Sequence, residues 1–191
     1  MDMHQEMKAI VDPARTVLVV WDVQNMLVKG IFNEGVFLER ANLVISTARA
    51  KGVPVVFSRI TPLPERFESP VRKFMGKFHS VRMNPVPGGL DLTIAALDTE
   101  MVIPKHTASI FIGTDFERIL RNAGITTIVF IGIATQMGIE SSARDALNRS
   151  FYPVVVSDAV SSFNQEAHER SLATMANMMI LMEASEIAAL W

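Results

Sequence analysis

Apolar residues along the chain follow two alternating patterns. The run "TVLVVW" (Thr16 to Trp21) is continuous and rich in β-branched residues, which predicts a strand buried on both faces. "VFLERANLVISTARAKG" instead sets Val36, Phe37, Ala41, Val44 and Ala48 on one helical face, with Gly52 as its stop. The alternation then repeats. "VPVVFS" (Val53 to Ser58) reads as a second strand and "MVIPK" (Met101 to Lys105) as a short third. "DFERILRNAG" is a helix closed by Gly124, and "ITTIVFIG" (Ile125 to Gly132) is a fourth strand. A helix begins near Gln136, "YPVVVSDA" is a fifth strand, and "NQEAHERSLATMANM" is a helix capped by Asn164. "MILME" is a sixth strand.

Strand and helix in alternation imply parallel strands joined by right-handed crossovers. The predicted fold is α/β: an open, doubly wound, mostly parallel six-stranded sheet with helices on both faces, Rossmann-like. The 191 residues suit a single domain spanning 1–191. In such sheets ligands bind outside the carboxyl ends of the strands, where strand order reverses.

Residues 59–100 break the pattern. Pro62, Pro64, Pro70, Pro85 and Pro87 interrupt them, and Arg59, Arg66, Arg72, Lys73, Lys77 and Arg82 charge them. A connection this long reads as a lid or as a solvated surface excursion. The C-terminal "ATMANMMILMEASEIAALW" is apolar enough to cover the core or a partner, and Trp191 is a candidate exposed anchor.

Composition narrows the function. A net charge of -2 and a pI near 6.1 offer no basic surface for nucleic acid. No run approaches the roughly 20 apolar residues of a membrane span, and "MDMHQEMKAIVDPAR" lacks the apolar core of a secretory signal. The expectation is a cytoplasmic protein with a small-molecule substrate and neither nucleic-acid nor membrane partner. The sequence contains no cysteine, which excludes a thiol nucleophile among these residues. His4, His79, His106 and His168 show no metal-ligand spacing, so neither a metal nor another cofactor is expected.

Three polar residues follow strand ends: Asp22 after "TVLVVW", Lys105 closing "MVIPK", and Thr135 just past the fourth strand. A carboxyl directly after a buried run is desolvated, which raises its pKa, while a neighbouring ammonium lowers it again. Such a pair suits acid–base work. In the turn "GIATQMG", Thr135 is the expected N-cap, and the N–H groups of Gln136, Met137 and Gly138 would open onto the crevice. Gly138 would leave space there for a ligand or water. Ser141 and Ser142 lie one turn further on, with no histidine close in sequence to activate them.

These blocks resemble the isochorismatase-like hydrolases, which include nicotinamidases and related cysteine hydrolases. "RTVLVVWDVQNMLV", "PKHTASIFIGTDFERILRNAGI" and "IVFIGIATQMGIESSARDALNRSFYPVVVSDAVSSF" stand in the family's order. The similarity runs from about Arg15 to Glu186. It implies an Asp–Lys–Cys triad whose first two members are Asp22 and Lys105, with Gly138 at the cysteine position. It also implies a cis peptide between Ile133 and Ala134. The combination of Asp-x-Gln, lysine and glycine is similar to that of true isochorismatases. Their reaction needs no protein nucleophile: a vinyl ether is protonated at carbon and water attacks the oxocarbenium ion.

The resemblance thus implies Asp22 as general acid and Lys105 as its electrostatic partner, with Gly138 leaving room for water. The implied substrate-binding residues are Gln24, Arg59, Thr61, Ala134, Thr135 and Met137. Where true isochorismatases resemble "Y-T-A-Q-P", this chain has "SRITP", so Thr61 replaces the substrate-contacting Gln. A family arginine would be Arg66 or Arg72, or Arg59 would take its place. The family also implies a homo-oligomer. Two other readings stay open: a catalytically silent ligand-binding or assembly protein, and an amidase using a serine or an activated water.

Overall fold

The computed structural model describes residues 2–75 and 86–191. Lys77, Arg82 and Pro85, and the side chain of Arg72, lie outside the described residues. The six predicted strands are present: β1 (Thr16–Trp21), β2 (Val55–Ile60), β3 (Met101–Lys105), β4 (Thr127–Ile133), β5 (Tyr152–Ser161) and β6 (Ile180–Met182). All pairings are parallel, in the order β3-β2-β1-β4-β5-β6. Strand order therefore reverses between β1 and β4. Asp22 follows one of these strands and the turn carrying Gly138 follows the other.

The two-residue period of β1 builds two cores. Leu18 and Val20 face a cluster formed with helices α3 (Glu34–Ala50) and α8 (Ala184–Leu190). Val17, Val19 and Trp21 face the opposite cluster, formed with α5 (Phe116–Asn122), α6 (Glu140–Asn148) and α7 (Gln165–Met175). This register places the indole of Trp21 on the face covered by α6.

Helices α1 (Met3–Ile10), α2 (Asn25–Val28) and α4 (Pro70–Met75) complete the described α-helices. Gly52 and Gly124 adopt positive φ after α3 and α5, as their stop positions predict. Asn164 accepts a hydrogen bond from the Ala167 N–H and caps α7.

Two core expectations need correction. Val36 is 54% exposed, because it lies in the first turn of α3; Ile45 joins the buried stripe instead. Trp191 is buried rather than exposed, and its indole N–H donates to the Val11 carbonyl at 2.9 Å. The C-terminal α8 packs on α3, so this apolar segment closes the core of its own chain. Among the described residues, no helix is long and apolar enough to cross a membrane.

Candidate active site

Asp22 takes φ +48°, a left-handed conformation that turns the chain out of β1 as soon as the strand ends. Its carboxylate is held on both oxygens. The Ser58 hydroxyl donates to Oδ1 at 2.7 Å, and Lys105 Nζ donates to Oδ2 at 2.5 Å. Ser58 stands on β2, the strand between β1 and β3, so the lysine reaches across the end of β2. Asp22 and Lys105 are each only 2% exposed. Burial pushes the Asp22 carboxyl above its ordinary value, while the Lys105 charge and the bonds from Lys105 and Ser58 pull the other way.

Lys105 has a second partner. Its Nζ lies 4.0 Å from the centroid of the Trp21 ring, a cation–π contact. Trp21 in turn covers Gly138. A Cβ on Gly138 would fall 1.9 Å from Trp21 Nε1 and 2.3 Å from Cε2. The expectation that Gly138 leaves space for ligand or water is corrected here: the indole fills that space.

The turn after β4 carries the cis peptide between Ile133 and Ala134 that the resemblance implies, but departs from expectation around it. The β4–β5 register shifts between Phe130 and Gly132, and Gly132 has φ +128° with Trp21 backbone directly over its missing Cβ. Residues Thr135–Ile139 form a π-turn, with the Ile139 N–H donating to the Ala134 carbonyl, and α6 follows. Thr135 is therefore not an N-cap. Its hydroxyl donates to the Ser161 carbonyl at 3.0 Å and lies 2.8 Å from His168 Nδ1. A hydroxyl has one proton, so His168 donates from Nδ1 to Thr135. Burial holds the His168 pKa below its ordinary value.

Other proposed contacts divide by position. Gln24 is buried and spends its amide on backbone: Nε2 donates to the Ile60 and Leu90 carbonyls, and Oε1 accepts from the Ile60 N–H. In this structure its amide bonds to backbone on both atoms. Gln24 ties the end of β1 to β2 and to residues 88–93, which return onto it. The N–H groups of Asn25 and Met26 donate to the Asp91 and Gly89 carbonyls. Arg59 and Thr61 stand partly exposed at the rim of β2. The Thr61 carbonyl accepts from His106 Nδ1 at 2.7 Å. Ala134 is buried, whereas Met137 points outward and is 60% exposed.

The Ser142 hydroxyl donates to the Gly138 carbonyl at 2.7 Å and accepts from the Ile110 N–H at 3.3 Å, so it fastens one turn of α6 to the loop after β3. Among the described residues, no group of three or more His, Asp or Glu side chains is placed to hold a metal ion.

Sequence reasoning found Asp22 and Lys105 but missed Trp21, Ser58 and His168. A serine ending the apolar run "VPVVFS" was the available signal for Ser58. Nothing local marked His168.

Residues 16–186 match the Isochorismatase domain family. The isochorismatase family protein YecD of Escherichia coli O157:H7 is 33% identical over 164 residues, covering 82% of this chain and 85% of that protein. The ureidoacrylate amidohydrolase RutB of Methylobacterium radiotolerans is 31% identical over 193 residues, covering 87% of this chain and 74% of that protein. Among solved structures, an isochorismatase family protein from Burkholderia thailandensis superposes with a TM-score of 0.80 at 28% identity, covering 93% of this chain and 95% of that one. A cysteine hydrolase from Pseudomonas syringae pv. phaseolicola shares the fold, with a TM-score of 0.83 at 19% identity over 95% of this chain and 94% of that one. Strand order, the site at its point of reversal and the match across both lead to one assignment: the chain belongs to the isochorismatase family of hydrolases.

Proposed function

We propose that this chain hydrolyses a small anionic vinyl ether of the isochorismate type, using water rather than a protein side chain as nucleophile. One observation carries the reading. The Asp22–Lys105 pair is intact and buried at the strand ends, while the neighbouring positions offer no nucleophile: residue 138 has no side chain, and Ser142 is committed to the Gly138 carbonyl.

In this reading, Asp22 in its acid form protonates the terminal methylene carbon of the vinyl ether. The carboxylate left behind is stabilised by the two donors already on it, Lys105 and Ser58. Water adds to the oxocarbenium carbon, and the hemiketal collapses to a keto acid and an alcohol. In this reading Arg59, partly exposed near the end of β2, meets a substrate carboxylate.

The test is hydrolysis of isochorismate in D2O. Protonation at carbon places one deuterium in the methyl group of the released pyruvate, read by mass spectrometry. Pyruvate without that deuterium excludes the mechanism. The name of the RutB relative raises amide hydrolysis as the competing chemistry. Ammonia release from ureidoacrylate, with no pyruvate from isochorismate, would replace the vinyl-ether reading.

One observation favours a second reading, a ligand-binding or assembly protein without turnover: Trp21, Asp22 and Lys105 are all buried. Saturable thermal-shift binding of isochorismate without product would support it.

A further inference from the structure

Trp21 is the buried residue to which neither the resemblance nor the reaction gives a part, yet it touches both sides of the site. On one side, its ring carries the Lys105 ammonium 4.0 Å from the centroid. On the other, Nε1, Cε2 and Cζ2 all lie within 2.7 Å of where a Cβ on residue 138 would stand. Contacts this short involve a rigid bicyclic ring locked in a packed core, so the ring has no small adjustment that clears them. The strand period fixes this arrangement. Trp21 is the last residue of β1 and shares the face of Val17 and Val19, in the cluster that also holds Ile139 from the π-turn and Ala143 from α6.

We propose that Trp21 is the specificity-determining residue of the site. Its indole takes the volume that any side chain on residue 138 would need, and so bars that position from supplying a nucleophile. The same indole lies against the Lys105 ammonium, so position 138 and Lys105 flank one ring. Removing it reopens position 138, where a cysteine would then stand within the field of Lys105. The inference rests on the proposed function only in naming water as the nucleophile that remains; the exclusion itself is tested without turnover.

The first test is a thermodynamic cycle. In the wild-type background, Gly138→Ala is expected to lower Tm by about 5 °C or more, because the new methyl overlaps the indole. In a Trp21→Val background the same change is expected to leave Tm unchanged or raise it. Should Trp21→Val fail to fold, Trp21→Leu, which has no ring atoms where Nε1 and Cε2 stand, serves as the background. An equal loss in both backgrounds, or no loss in the wild type, overturns the proposal.

The second test uses the absence of native cysteine, so that alkylation reports position 138 alone. In Trp21→Val/Gly138→Cys, the thiolate displaces iodide from iodoacetamide, forming a C–S bond as the C–I bond breaks and the thiol proton passes to solvent. The rate is expected to titrate below the ordinary thiol pKa of about 8.5, and to return toward it when Lys105→Met is added. A pKa unmoved by Lys105→Met overturns the claim that the reopened position 138 stands within the field of Lys105. Production of pyruvate by the wild type is a separate result, so failure of the vinyl-ether reading and failure of the Trp21 proposal are distinguishable.

Discussion

Lys105 reaches Asp22 across the end of an intervening strand, its Nζ 2.5 Å from Oδ2 and both residues 2% exposed. In a parallel sheet this geometry needs a long side chain on β3 and a sharp turn after β1, and the chain supplies both. Two charges out of water attract strongly but are costly to desolvate, so the pair has its largest effect when one member is removed.

Lys105→Met should therefore destabilise the fold by about 3–5 kcal/mol at neutral pH. The loss should shrink in acid. Burial already raises the folded-state pKa of Asp22 above its unfolded value, and the substitution removes the main opposing charge. A carboxyl with a raised folded pKa binds more protons folded than unfolded, so stability falls as pH rises through that window. Denaturant titrations of the variant between pH 4 and 8 check the sign. The same substitution should move the alkaline limb of kcat/KM to higher pH, provided Asp22 acts in its acid form.

His168 gives a pH dependence of opposite sign. Its folded pKa is depressed by burial, with Glu169 opposing. The unfolded chain then takes up the proton first, and stability falls as pH drops through about 6.5. Thermal melts between pH 7.5 and 5.5 should show the loss. His168→Asn, which retains a donor toward Thr135, should flatten it.

Ser142→Ala should leave turnover unchanged and cost about 1–3 kcal/mol of stability, since the Ile110 N–H loses its buried acceptor. Loss of activity in a variant whose folded circular-dichroism spectrum is retained would instead identify Ser142 as a nucleophile.

Gln24→Ala should loosen the return of residues 88–93 onto β1 rather than abolish the chemistry. It removes partners from the Ile60 N–H and from the Ile60 and Leu90 carbonyls. Limited proteolysis should cut the variant faster within this segment, and KM should rise more than kcat falls.

The strands were legible because β-branched apolar runs have one good use in a chain of this composition, and glycines with positive φ mark the ends of α3 and α5. Asp22 and Lys105 were legible as polar residues placed at strand ends. The remaining site features depend on contacts between residues far apart in sequence. Whether space beside Gly138 is open depends on which face of β1 Trp21 occupies. Whether Gln24 meets substrate depends on where residues 60 and 90 place their carbonyls. Thr135 looked like an N-cap because Ser, Thr, Asp and Asn are good caps, but a π-turn re-aims its hydroxyl toward Ser161 and His168.

Isochorismate turnover by the wild type and Asp22→Asn, followed as pyruvate, is the decisive comparison. Nucleophile-free general-acid hydrolysis predicts pyruvate from the wild type and a rate lower by a factor of about 10²–10⁴ in the variant, with substrate binding retained. Equal rates from the two proteins, or no pyruvate from either, would contradict it.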